Sequence, residues 1–199
     1  MSVSFIYLAS QSPRRRQLLE QIGVALALLP PDDAEAAEAL EAVRPGEAPA
    51  AYVRRVTRLK LADAALRLAR QQRTPAPVLC ADTTVALGRR ILGKPADAEE
   101  AAAMLRALSG GTHRVLTFVA VQAGDTRHEA LSESRVRFAR LDEAGIAAYV
   151  ASGEWQGKAG AYGIQGRAAA FIEHISGSYS GIMGLPLFET AAILKEIRR

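Results

Sequence analysis

The feature that most constrains this chain is the junction Ser10-Gln11-Ser12-Pro13-Arg14-Arg15 near its start. Ahead of it, residues 4–9 form a short apolar and aromatic run suited to a buried strand. Behind it, Leu18, Leu19 and Ile22 recur at helical spacing up to Gly23. Ser12 falls at the N-cap and Pro13 at the first helical position, where the missing N–H is no loss. The chain therefore opens strand, tight loop, helix. Free backbone N–H groups and the positive end of the helix dipole make such a loop an anion site, to which Arg14 and Arg15 add guanidinium forks and Ser10 a hydroxyl. Taken alone, the tetrapeptide from Ser12 to Arg15 fits an ordinary capped helix with solvated arginines better than a ligand site, and only other parts of the chain can raise it to one.

Further along, Pro, Ala, Asp and Glu over residues 30–49 predict an exposed acidic loop with at most one helical turn, followed by a long helix over 50–72. Residues 78–81 predict a second buried strand, with Asp82 at its junction to 83–87. A turn at Gly88-Arg89-Arg90 and Ile91-Leu92 complete a hairpin-like element. Asp97 caps a helix to about Leu108, and strands near 115–123 and 129–138 turn at Gly124-Asp125. A helix to about Ala151, a Gly-rich loop over 153–166, a strand over 169–175 and a closing helix over 187–197 follow. Strands and helices interleave while two strand pairs read as antiparallel, which predicts an α/β fold with a mixed sheet flanked by helices. With 199 residues, 49% of them apolar, a single domain over 1–199 is expected.

Charge and cysteine usage limit the function classes. The net charge of +4 invites nucleic-acid binding, but the basic residues are interspersed with carboxylates and aromatics for base stacking are sparse. A local anion site explains the balance better than an extended groove. The longest apolar run, residues 24–29, is too short to span a membrane, and no leader pattern precedes it, so no membrane partner is expected. Cys80 is single and lies in an apolar run, which fits a core residue and a reducing cytoplasm. His113, His128 and His174 are isolated from one another and recommend neither a zinc site nor a Ser-His-Asp triad. Of 25 basic residues only Lys60, Lys94, Lys158 and Lys195 are lysines. Lysines kept against that bias fit places where a compact point charge is wanted, except Lys195, which suits the last turn of the final helix.

Asp82, next to a buried strand, is placed to activate water or hold Mg²⁺, though a turn-forming carboxylate fits as well. Gly93-Lys94-Pro95 could present an ammonium to phosphates, yet it is no Walker A motif, because Pro95 stands where Ser or Thr is required.

In combination, Leu8-Ala9-Ser10-Gln11-Ser12-Pro13-Arg14-Arg15 resembles the N-terminal signature of the Maf family of nucleotide pyrophosphatases. Ala81-Asp82-Thr83, Leu92-Gly93-Lys94-Pro95, Lys158-Ala159-Gly160-Ala161-Tyr162-Gly163-Ile164-Gln165-Gly166, Gly177-Ser178-Tyr179-Ser180 and Gly184-Leu185-Pro186 follow as similar blocks in the same order. The resemblance implies a fold like that of inosine-triphosphate pyrophosphatases, with a substrate cleft in which nucleoside triphosphates become monophosphates with a divalent cation, Mg²⁺ or Mn²⁺. By motif it implies Asp82 as the acid/base residue and Ser10, Arg14, Arg15, Lys60 and Lys94 as phosphate ligands. Glu41 and Asp82 would be the metal carboxylates. Arg14, Thr83 and Gln165 fall at positions that separate a dTTP/UTP branch from a 7-methyl-GTP branch, and all three resemble the former. Gly157 departs from an acid common in that branch, and Trp155 fits either base stacking or a loop anchor. The alternatives are 7-methyl-GTP hydrolysis or a non-catalytic role in septum formation and cell division. A homodimer is the assembly that the family leads one to expect.

Overall fold

The computed structural model describes residues 4–197. Strand β1 (Ile6–Leu8) is fully buried and leads into helix α1 (Pro13–Gln21) through the Ser10–Arg15 loop. The cap is as the sequence predicts: Ser12 is extended, its side chain accepts from Arg15 N, and Pro13 opens the helix. The run after Gly23 becomes β2 (Leu26–Leu28), a strand with no local sequence signal of its own. It exists by parallel pairing with β1, Ile6 opposite Leu26 and Leu8 opposite Leu28.

The acidic segment holds one short helix, α2 (Ala34–Ala39), capped by Asp33. Next comes the long α3 (Pro49–Arg70), which packs Tyr52, Val53, Val56 and Leu61 on one face of the sheet. Strand β3 (Val78–Leu87) then runs without a break and turns at Gly88 into β4 (Arg90–Leu92). This corrects one expectation: Asp82 lies in the middle of a strand of 10 residues rather than at a junction. Helix α4 (Ala98–Leu108), strands β5 (Thr112–Ala123) and β6 (Thr126–Phe138), and helix α5 (Glu143–Ala151) follow in the predicted order. After the Gly-rich loop, residues 167–171 form a 3-10 turn. Strand β7 therefore spans Ile172–Ser176, starting later than the sequence predicts. A short helix, α6 (Tyr179–Met183), precedes the closing α7 (Leu187–Glu196).

The sheet order is β2-β1-β3-β5-β6-β7, with β4 also on β3. β1 is parallel to β2 and β3, whereas β3–β4, β3–β5, β5–β6 and β6–β7 are antiparallel, which makes the mixed α/β sheet that was expected. The two faces bury separate cores: α3 covers Val78, Cys80 and Phe118, and α1, α4, α5, α6 and α7 contribute to the core around Ala81, Val85 and Val119.

One consequence of this pairing positions the site. Along β3, β1 pairs only with Val78 and Leu79, and β4 takes up the same edge at Val85. The edge of β3 between them, which carries Asp82 and Thr83, is left without a neighbouring strand and opens a cleft at the end of β1.

Candidate active site

The cleft has a volume of about 760 Å³, within the range of small-ligand sites. Ser10, Arg14, Arg15, Glu41, Lys60, Asp82, Thr83, Lys94 and Gln165 all line it. Residues named from separate stretches of sequence therefore come together in space.

The first wall is the capped loop. Ser10 Oγ accepts from Ser12 N at 3.1 Å and from Arg15 Nη1 at 3.3 Å, which leaves its own proton free to donate. Arg15 is tied down further: Nε donates to Gly184 O at 2.8 Å and Nη2 to Thr83 Oγ1 at 3.4 Å. Burial lowers the proton affinity of its guanidinium, and the neighbouring Arg14 adds to this while Asp82 offsets part of it. Arg14 lines the cleft beside it.

Ion pairs make the second wall. Lys60 Nζ, from α3, donates to Glu41 Oε1 at 2.6 Å and to Asp82 Oδ1 at 2.7 Å. Lys94 reaches Glu41 Oε2 at 2.9 Å and Glu38 Oε1 at 3.0 Å. Glu41 is set by the way the acidic segment is pinned to α3. Tyr52 Oη donates to its carbonyl at 3.0 Å, Arg55 pairs with Glu47 at 2.6 Å, and Arg55 Nη2 donates to Ala42 O at 2.9 Å.

The environments of the two carboxylates push them apart. Burial would raise Glu41, but Lys60 and Lys94 outweigh it and hold the group below the ordinary carboxylate range. Asp82 is 6% exposed, and burial raises its proton affinity despite the opposing pull of Lys60 and Arg15. One carboxylate is thus held as an anion while its neighbour is more ready to accept a proton, the pattern that separates acid/base roles.

The third wall is the Gly-rich loop. Lys158 and Gln165 line the cleft; burial first, then Arg14, lowers the Lys158 ammonium's proton affinity, and the ammonium donates to Glu154 O. Lys158 is a cleft residue to which its motif block assigns no role, although its place among the four lysines is a signal. Gly160 approaches β3 so closely that a Cβ would meet Val85 Cγ1 at 2.9 Å, and its φ of +68° also favours glycine. Trp155 donates its indole N–H to Val150 O at 3.0 Å and packs on the core, so it anchors the loop. Gly157, where the branch often has an acid, lines the cleft with φ of +66°.

The remaining single residues have structural settings. Cys80 is a buried free thiol pushed up to about 12 by burial. His113 bonds Tyr162 Oη at 2.7 Å in the core, and His128 lies 3.2 Å from Glu196. Buried Thr117 and Arg67 adjoin or line the cleft, and neither carried a sequence signal strong enough to single it out.

Among the described residues no cluster of three or more His, Cys, Asp or Glu side chains is spaced to hold a metal ion. Glu41 and Asp82 nevertheless aim oxygens at one ammonium, so their donor set suits a hard cation whose other ligands come from phosphate and water.

An α/β sheet with a small-ligand cleft, one wall a helix N-terminus with arginines and another the buried Asp82 beside the half-buried Glu41, defines a phosphate-binding class of protein. The chain matches the model of the Maf-like protein family over residues 5–197, and it belongs to that family. It is 66% identical to a protein of Polaromonas sp. over 194 residues, covering 98% of this chain and 96% of the relative. It is 64% identical to one of Albidiferax ferrireducens, covering 96% of each. A relative in Burkholderia thailandensis is 59% identical, covering 98% of this chain and 93% of its own. Each of these relatives is called a dTTP/UTP pyrophosphatase. No described helix is long and apolar enough to cross a membrane.

Proposed function

We propose that this chain is a nucleoside triphosphate pyrophosphatase that hydrolyses dTTP and UTP to the monophosphate and pyrophosphate. The observation that carries the site assignment is Asp82, buried in the cleft, raised in proton affinity and in contact with Lys60 beside an anionic Glu41. The substrate preference is supported by relatives of that name at 59–66% identity across nearly the whole chain.

In this reading Asp82 accepts the proton of the water that attacks the α-phosphorus, and pyrophosphate leaves. Arg14, the spare N–H groups of Arg15, the Ser10 hydroxyl and the α1 N-terminus hold the phosphates. Lys60 and Lys94 neutralise charge from the opposite side, and Gln165 pairs with the pyrimidine edge as donor and acceptor. Glu41 and Asp82 would hold Mg²⁺ or Mn²⁺, which when bound supplies electrophilic stabilisation of phosphate oxygens. The chain acts as one domain over 1–199, in the cytoplasm where nucleoside triphosphates are used. A homodimer is its expected assembly, read by analytical ultracentrifugation.

Pyrophosphate release from dTTP, UTP, dGTP and 7-methyl-GTP, each with Mg²⁺ and with Mn²⁺, tests the proposal. Higher kcat/KM for dTTP and UTP is expected. A preference for 7-methyl-GTP, or nucleotide binding without pyrophosphate release, overturns it.

A further inference from the structure

Behind the cleft lies a run of hydrogen bonds whose direction is fixed at both ends. Thr117, on β5 and fully buried, donates to Gly181 O at 2.7 Å. A hydroxyl has one proton, so at its 2.9 Å contact with Thr83 Oγ1 it must accept. Thr83 therefore donates to Thr117, and its lone pairs are what face the 3.4 Å contact from Arg15 Nη2, which can only donate. The chain runs one way, from guanidinium to Thr83 to Thr117 to the Gly181 carbonyl.

This order matters because Arg15 commits only part of its donors to the protein. Nε goes to Gly184 O, one Nη1 proton to Ser10 and one Nη2 proton to Thr83, out of the five that a guanidinium carries. Two N–H groups remain on a half-buried cation that lines the cleft. Where they point depends on which way the rest of the plane is held. Without the Thr117 acceptor, Thr83 is free to turn its proton toward Arg15, replacing an attraction with a donor–donor clash.

We infer that Thr117 is a positioning residue, which fixes the Thr83 hydroxyl and through it aims the Arg15 guanidinium at the substrate's phosphates. The inference rests on the proposed nucleotide reading, but its primary measurement is binding and does not require turnover. A non-hydrolysable α,β-imido analogue of dTTP is titrated calorimetrically against the full chain and its variants. Thr117→Val, which keeps the shape and removes the hydroxyl, is expected to raise Kd about tenfold. Thr117→Ser is expected to stay within about twofold of the parent, because it restores the donor and acceptor.

Should the valine variant not fold, Thr117→Ala set against Thr117→Ser isolates the same hydroxyl. Steady-state kinetics on dTTP then adds a rise in KM larger than any fall in kcat. A double variant with Thr83→Val is expected to lose no more than the worse single variant, since both cut one chain. The inference is overturned if the valine or alanine variant shifts Tm but leaves Kd within twofold, or if serine fails to rescue. Absence of dTTP and UTP hydrolysis by the parent chain, with analogue binding intact, would instead overturn the proposed function alone.

Discussion

His113 makes a prediction whose size can be worked from its surroundings. The ring is 1% exposed on β5, stacked edge-on against Phe138 at 5.0 Å and Tyr162 at 5.4 Å. Its Nε2 is 2.7 Å from Tyr162 Oη, while Nδ1 is buried with no hydrogen-bond partner. Burial therefore disfavours the imidazolium and lowers the group from 6.5 to about 4. The unfolded chain binds the extra proton first as pH falls, so the stability His113 contributes is full above its unfolded value and is lost on acidification toward 4. Over that whole window the loss amounts to about 3 kcal/mol, a large part of a typical domain's stability. Between pH 7 and pH 5.5, above the range where the depressed carboxylates Glu41, Glu47 and Glu129 titrate, the share is about 1 kcal/mol. Urea unfolding of the parent and of His113→Gln at these two pH values isolates it. Burial of Asp82 acts with the opposite sign but is common to both proteins, so it cancels in the difference. The parent should lose about 1 kcal/mol more than the glutamine variant. Equal losses would refute the argument that burial holds His113 neutral.

Substitutions in the cleft and the parent's pH profile give further outcomes. Asp82→Asn should lower kcat for dTTP by about a hundredfold or more. Because burial raises Asp82, the acidic limb of kcat/KM in the parent should lie above the ordinary carboxylate range; a limb at the ordinary position would count against Asp82 as proton acceptor. Lys60→Met removes the cation shared by Glu41 and Asp82 and should cost about 2–4 kcal/mol at neutral pH. Calorimetry checks this, and an unchanged Tm would mean that the pairs contribute nothing net. Gly160→Ala forces a Cβ onto Val85 at positive φ and should cost about 1–3 kcal/mol while raising KM for dTTP, read by thermal unfolding and steady-state kinetics.

What the sequence made legible was whatever several local signals specified at once. Ser12, Pro13 and the Leu18/Leu19 spacing agree, and α1 begins where they say. Asp97 with α4 and the Gly124 turn between β5 and β6 are cases of the same kind. Elements defined by long-range partners were hidden. β2 depends on pairing with β1 across the α1 connection, and its residues carry no alternation to mark it. β3 runs through Asp82 because a strand edge facing a cleft tolerates a carboxylate that a covered edge would not, whereas a charge in an apolar run reads as an interruption. The 3-10 turn before β7 follows from packing around Phe171, whose carbonyl accepts from Ala139 N, a partner distant in sequence. In the cleft, motif blocks identified side chains that line it directly. Thr117 stayed invisible because it sits in Val115-Leu116-Thr117-Phe118-Val119, an ordinary buried strand by composition.

The distribution of charge in the cleft adds an argument about orientation. Lys60 and Lys94 are engaged by Glu38, Glu41 and Asp82, so that wall carries two cations against three carboxylates. Arg14, Arg15 and Lys158 face it; Arg15 and Lys158 are partly stripped of water, and Arg14 depresses the proton affinity of both its neighbours. Among the described residues these three have no carboxylate salt-bridge partner, so an anion between them would relieve repulsion as well as gain contacts. In the proposed function a polyphosphate entering the cleft would be drawn first to the α1 and Gly-rich-loop side, with Lys60 and Lys94 offsetting the carboxylates opposite. That ordering would set the phosphates against the arginines, with Asp82, the proposed proton acceptor, on β3. The field does this before any base is read, which is why a change at Lys158 should weaken all nucleoside triphosphates alike, and a change at Gln165 should alter the choice among them.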